Sequence, residues 1–183
     1  MGIPLYFKTI TDRYSDIIIQ NIRKTDNPNF LFLDLNCAIH PCCRNFLKTI
    51  EDYNPNYQSD YERKMINSVL AYIKRLIEFV NPELCFIAID GVAPAAKMSQ
   101  QRLRRFKSVL EKEEQNKLKE EIYNNKNKNS WDTNAISPGT EFMDKLKQSL
   151  LNYIKSPNFD DVDIVFSSAN VYGEGEHKIF DFI

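Results

Sequence analysis

The chain has 183 residues, enough for one domain that buries a core of its own. Its 24 Lys and Arg nearly balance its 25 Asp and Glu. A net charge of −1 therefore gives no overall attraction to polyanions, and any contact with nucleic acid has to come from where charges cluster. No apolar run approaches the length that crosses a bilayer. The opening Met1-Gly2-Ile3-Pro4-Leu5-Tyr6 has no basic segment ahead of a long apolar stretch, which excludes a secretory signal, and Tyr6 stands where a myristoylation site needs Ser or Thr.

Residues 4–22 place Leu5, Ile10, Ile17, Ile18 and Ile22 at helical intervals, with a break near Tyr14 and Ser15. Phe30–Leu35 is nearly continuous in apolar residues, the pattern of a strand covered on both faces. Cys37, Cys42 and Cys43 follow, and Cys85 comes later. Without a secretory signal these are reduced thiols of a cytoplasmic protein, a nuclear one being the alternative. Cys37, His40, Cys42 and Cys43 lack the second ligand pair of a structural zinc site, and the cysteines are read as buried thiols beside the first strand.

Residues 60–80 are the clearest helix. Met65, Ile66, Val69, Leu70, Ile73, Leu76, Ile77 and Val80 recur at steps of three and four, and Asn81-Pro82 ends it. Leu84–Asp90 repeats the buried-strand pattern before Gly91. Residues 96–123 form a long charged helix, and Asn124–Asn134 a polar, mobile connection in which Trp131 makes a small local contact. Pro138-Gly139 is turn chemistry ahead of a helix from Glu141 to about Ile154. Asp160, Asp161 and Asp163 are turn and edge residues at a third strand, Val162–Ser167. Gly173-Glu174-Gly175-Glu176 starts a last helix, at whose beginning His177 faces solvent. Strands alternating with helices predict an α/β fold, a mostly parallel twisted sheet flanked by helices.

Ligands of such sheets gather beyond the carboxyl ends of the strands. Asp34 ends the first strand, Asp90 the second, and Glu174 and Glu176 follow the third. Each alone is ordinary turn or capping chemistry. Four together repel unless a cation joins them, and Mg²⁺ (or Mn²⁺) is held by such carboxylates with positions left for water and phosphate. Glu174 and Glu176 are two apart, so a regular helix aims them in opposite directions; Gly173 and Gly175 allow an irregular turn that turns both to one site. The chemistry this suits is phosphodiester hydrolysis. Beyond Asp90, the stretch Lys97–Lys107 holds five basic residues and no acid, and Lys97, Gln101, Arg104 and Arg105 share one helix face that suits a terminal phosphate. The plainer alternative for that face is solvation. From Glu111 to Glu121 the signs mix, and a solvated face is the reading.

These residues resemble the Xrn-type 5′→3′ exoribonuclease family over nearly the whole chain. The blocks are Met1–Pro4; Leu33–Asn36 with Ile39-His40-Pro41-Cys42; Ile87–Pro94 with Ala96-Lys97-Met98, Gln100-Gln101-Arg102 and Arg104-Arg105-Phe106; Ile136–Met143; and Gly173–Ile179. The resemblance implies a PIN or flap-endonuclease-like fold, with residues 1–183 as the N-terminal part of the exonuclease domain. It implies Asp34, Asp90, Glu174 and Glu176 as Mg²⁺ ligands. It implies Lys97, Gln101, Arg104 and Arg105 as a pocket for the 5′-monophosphate of single-stranded RNA, and His40 as a group that places the first nucleotide. Mononucleotides would be released processively. Ala95, Ser137, Ser168 and Tyr172 depart from the family pattern, which puts one phosphate contact and the approach to the Glu174 turn in doubt. The family also uses aspartates on a later strand, so the fold and the carboxylate set are expected to be incomplete within 1–183. That expectation keeps an inactive or RNA-end-binding fragment in view. A flap-type DNA nuclease is a further alternative, against which the Lys97–Arg105 block and His40-Pro41-Cys42 weigh.

Overall fold

The computed structural model describes residues 5–18, 28–123, 130–156 and 161–183. Met1–Pro4, Ile22, Asp160 and the 124–129 part of the polar connection lie outside them. Helix α1 spans Tyr6–Arg13 and stops at Tyr14, where the helical pattern breaks; a short 3₁₀ turn, Ser15–Ile17, follows. Strands β1 (Phe30–Asp34), β2 (Leu84–Ala88) and β3 (Asp163–Ser167) form a parallel three-stranded sheet in the order β1-β2-β3. Each is slightly shorter than its apolar run.

The register sorts side chains into two faces. Leu31, Cys85 and Ile164 align in one row, and Leu33, Ile87 and Phe166 in the next. This face meets helices α2 (Asn36–Leu47), α3 (Gln58–Val80) and α5 (Glu141–Ile154) in a core that includes Ile39, Met65, Val69, Ile73, Phe142, Leu146 and Leu150. On the opposite face Phe32 pairs with Phe86 in register, and helix α6 (Gly175–Phe182) lays Phe182 on both, with ring centroids at 6.3 and 4.4 Å. The next row on that face is Asp34, Ala88 and Ser167, directly beyond the aromatic contact. Asp34 is therefore aimed at the start of α6 by the two-residue period of its strand.

Helix α3 ends at Asn81 in the left-handed conformation (φ 50°), one of the few residue types that accept it. Thr140 caps α5 by accepting the Met143 N–H. Helix α4 runs Ala95–Tyr123, about 44 Å at 1.5 Å per residue.

Two sequence expectations are corrected. The reading assigned no element to residues 36–57, yet α2 is a full helix despite Pro41 at its centre. Ala38, Ile39 and Cys43 are buried on one stripe against α3, and that burial outweighs the proline penalty. Trp131 does not belong to a mobile connection. It is 4 % exposed, meets Phe142 edge-on at 5.1 Å and donates its Nε1–H to Glu62.

Glu62 is buried on α3 and also accepts from Gln58 Nε2 (2.8 Å) and Lys145 Nζ (2.9 Å). Burial alone would raise its carboxyl; the bonds from Gln58, Lys145 and Trp131 reverse this and hold it below its ordinary value of 4.5. Its stabilisation is thus complete above the unfolded value and is lost as pH falls through the lower folded one. Replacing Glu62 with alanine strands the Trp131 N–H in the core and is expected to cost about 2 kcal/mol. That corresponds to about 4–8 °C in Tm by calorimetry at this chain size. Unchanged melting would show that Trp131 finds another acceptor.

Candidate nuclease site at the strand ends

The loops after β2 and β3 are tied together by backbone bonds. Gly91 N–H donates to Gly173 O (2.8 Å), and Gly173 N–H to Val92 O (3.1 Å). A Cβ at residue 91 would lie 1.8 Å from Val171 O, so only glycine allows the two loops to meet this closely. Gly173 has φ 104°, which bends the chain before Glu174.

Glu174 is extended (φ −79°, ψ 153°) and caps α6, whereas Glu176 lies in the helix's first turn. This change of conformation between them overcomes the opposition expected of residues two apart. Ligand atoms of Glu174, Glu176 and His177 lie within 4.8 Å of one another. Gly175 is needed for a different reason from backbone freedom. Its φ is not positive, but a Cβ there would sit 2.8 Å from Asp34 Oδ1 and 3.4 Å from Asp90 Oδ1. Both aspartates are therefore packed against the start of α6, where free N–H groups carry partial positive charge. Gly175 N–H donates to Asp90 Oδ1 at 2.6 Å.

Asp34, Asp90, Glu174 and Glu176 are thus brought together. Asp34 has its carboxyl raised, first by burial, then by the charge of Asp90 and, more weakly, of Glu176 and Glu174; the Asn36 N–H opposes them. Among the described residues, Lys97 and Lys178 bring ammonium groups to the cluster. Four carboxylates against two ammoniums leave a formal −2, which one divalent cation balances. A carboxylate-rich set of this kind, with the His177 ring at its edge, fits a divalent cation.

Two contributors, Asn36 and Lys178, were given no role from the sequence, and a third, His177, was set aside. Asn36 joins the aspartates: its N–H donates to Asp34 Oδ1 (3.3 Å) and its Oδ1 accepts from the Asp90 N–H (3.2 Å). Lys178 is buried, and its Nζ donates to Ile89 O (2.7 Å) and Ser168 O (2.9 Å), where β2 and β3 part beyond their last paired residues. Burial pulls its ammonium below the ordinary lysine range, against the charge of Asp90. His177, read as a solvent-facing residue, is exposed but offers a ring nitrogen to the Glu174 and Glu176 pair.

The basic block of α4 divides its work. Gln101, Arg102 and Arg105 line a cavity of about 410 Å³ whose other walls include the apolar Ala93, Met98 and Phe106. Arg104 acts on His40, whose imidazole is lowered first by burial and then by Arg44 and Arg104, against Asp90. His40 is therefore a neutral ring beside the carboxylates. Lys97 turns the other way and pairs with Glu174, Nζ to Oε1 3.1 Å. Among the cysteines, Cys43 and Cys85 are buried and pushed up to about 12, so they stay protonated and unreactive. Cys37 is exposed rather than buried, on an open cleft that it lines with Ser68, Tyr72 and Arg75 of α3.

Comparison with known proteins identifies the family. The family model described as "XRN 5'-3' exonuclease N-terminus" matches residues 1–183. The chain is 34 % identical over 220 aligned residues to the 5′-3′ exoribonuclease 2 of Kluyveromyces lactis, 35 % to that of Gallus gallus over 220, and 37 % to that of Schizosaccharomyces pombe over 222. In each case all of this chain is covered, against 21 %, 22 % and 22 % of the relative. The chain spans about a fifth of the length of the curated relatives it matches. With the family model matched from end to end and the carboxylates gathered at the sheet edge, the chain belongs to the XRN 5′-3′ exonuclease family, as N-terminal sequence of that family.

Proposed function

We propose that the chain carries part of the active site of a divalent-metal-dependent 5′→3′ exoribonuclease that takes single-stranded RNA with a 5′-monophosphate and releases mononucleotides. The observation that carries this reading is the packing of Asp34 and Asp90 against Gly175, with Glu174 and Glu176 on either side of it. Asp34, Asp90, Glu174 and Glu176 would hold Mg²⁺, with Mn²⁺ as an alternative and His177 within reach. When bound, such a cation polarises the phosphate and lowers the pKa of water that attacks it. Asn36, the Gly175 N–H and Lys178 fix the aspartates and the strand ends that bear them. Gln101, Arg102 and Arg105 offer the 5′-phosphate donors at this recess, and Arg104 supports it from the His40 side. The neutral His40 ring suits the first nucleotide.

The test is digestion, by the full-length protein, of RNA ending in 5′-monophosphate, 5′-hydroxyl or 5′-triphosphate, and of flapped DNA, each in Mg²⁺ or EDTA. Mononucleotides from the monophosphorylated RNA alone, and only with Mg²⁺, are expected. Preferential cutting of the flap would overturn the RNA reading, and activity in EDTA would overturn the metal reading.

Gly175→Ala tests the geometry directly. The methyl group must push Asp34 aside, while alanine suits the first turn of α6 as well as glycine does or better. Mn²⁺ affinity by calorimetry is expected to fall about 10–100-fold, as for other changes that misalign metal ligands, with little change in melting. Equal Mn²⁺ affinity would mean that Asp34 is not a ligand.

A further inference from the structure

Lys97 stands out in the basic block because it spends its charge on the carboxylate cluster. Its Nζ is 3.1 Å from Glu174 Oε1, and the two side chains are 27 % and 10 % exposed. Among the described residues, Arg104 and Arg105 have no such carboxylate partner. Lys97 lies one turn before Gln101 on α4 and is thus on the face that leads to the cavity of Gln101 and Arg105. In the proposed function its charge therefore has two claims on it, Glu174 and the 5′-phosphate.

The backbones at both ends of this pair are held together. Gly91 and Val92, just ahead of α4, are bonded to Gly173, which precedes Glu174. An exchange of partner therefore asks only for rotation of the four-carbon lysine stem. A divalent cation on Glu174 and an ammonium at 3.1 Å from the same carboxylate repel at close range, and partial burial leaves that repulsion weakly screened. A cation entering the cluster thus displaces Lys97, and a displaced Lys97 has the phosphate recess as its nearest anionic role.

We propose that Lys97 is exchanged between Glu174 and the 5′-phosphate, so that cation binding at the carboxylate cluster releases the lysine that completes 5′-end recognition. The inference rests on the functional reading above and adds a coupling to it. Without a cation, Lys97 is held by Glu174 and the RNA end is gripped by Gln101, Arg104 and Arg105 alone. With the cluster filled, all four act. By linkage, the RNA end raises cation affinity by the same factor that the cation raises affinity for the end. A factor of about tenfold is expected, in the middle of the usual range for coupled sites.

The experiment separates this coupling from simple charge removal. In EDTA, where no hydrolysis occurs, binding of 5′-phosphorylated and 5′-hydroxyl RNA by the full-length protein is followed by fluorescence anisotropy. Glu174→Gln is expected to tighten binding of the phosphorylated end about tenfold and leave the hydroxyl end unchanged. Glu176→Gln removes the same charge two residues away without freeing Lys97, and is expected to give a much smaller gain. In a Lys97→Met background, Glu174→Gln is expected to give none. As a second measurement, inorganic phosphate is expected to tighten Mn²⁺ binding to the unaltered protein in calorimetry, and to lose that effect in Lys97→Met. No gain from Glu174→Gln, or a gain that survives Lys97→Met, would overturn the exchange while leaving 5′-phosphate preference intact. Equal binding of both ends by every protein, the unaltered one included, would overturn end recognition itself.

Discussion

Replacing Asp34 with alanine is expected to lower hydrolysis of 5′-monophosphorylated RNA by about 10³-fold, a loss of about 4 kcal/mol of transition-state stabilisation. Asp34 shares the Gly175 contact with Asp90, and its loss opens the cluster on one side. Single-turnover rates in the full-length protein measure the effect. Binding of the phosphorylated end is expected to stay within about tenfold, because Gln101, Arg104 and Arg105 are untouched and only the release of Lys97 is lost.

Stability is expected to move the other way. The folded Asp34 carboxyl lies above its ordinary value of 3.8, so the folded state binds its proton more tightly than the unfolded state does. Stability is then greatest below the unfolded value and falls as pH rises through the folded one. At neutral pH without metal, an ionised Asp34 works against folding. The metal-free alanine variant should melt at or above the temperature of the unaltered protein. A variant that loses both activity and melting temperature would show that Asp34 holds the fold together rather than a cation.

Much of the scaffold was legible because its signals are local. The runs Phe30–Leu35, Leu84–Asp90 and Val162–Ser167 showed apolar residues on both faces and contain the observed strands Phe30–Asp34, Leu84–Ala88 and Asp163–Ser167. Their shared direction in a parallel sheet put four acids, from three strand ends, at one edge before any contact was known. Glu141–Ile154 appeared with its own bounds, since Thr140 and the preceding Pro138-Gly139 mark its start. Helix α2 was hidden because Pro41 contradicts a helix locally and only packing against α3 overrides it.

Within the site, what could not be read was tertiary. Lys178 answers carbonyls 89 and 10 residues away, and Asn36 accepts from an N–H 54 residues on. Such partners leave no periodic trace. Gly175 looked like a flexible turn residue, whereas its role is the space that a missing Cβ leaves for Asp34. Trp131 was misread because its neighbours are polar, and its acceptor, Glu62, comes from a different helix. The helical wheel placed Lys97, Gln101, Arg104 and Arg105 on one face. It could not show that Lys97 bends back to Glu174 while Arg105 enters the cavity.

That division sets apart the two arginines in the last prediction. Replacing Arg104 and Arg105 together with alanine is expected to abolish the preference for 5′-phosphate over 5′-hydroxyl RNA, a loss of about 10–100-fold in kcat/KM for the phosphorylated end. The figure follows from the net loss of one charge-assisted hydrogen bond at about 1.5–3 kcal/mol. Both side chains are exposed, so the fold should not suffer. The single variants should differ. Arg105 lines the recess with Gln101, and Arg105→Ala should remove most of the preference. Arg104 acts on His40, and Arg104→Ala should cost less discrimination between ends. It should also let the His40 imidazole rise towards its ordinary value of 6.5, because one of the cations that lowers it is gone. Titration of His40 by NMR reads that shift. A preference that persists in the double variant would move the phosphate site away from α4, and an unmoved His40 would separate Arg104 from the first-nucleotide position.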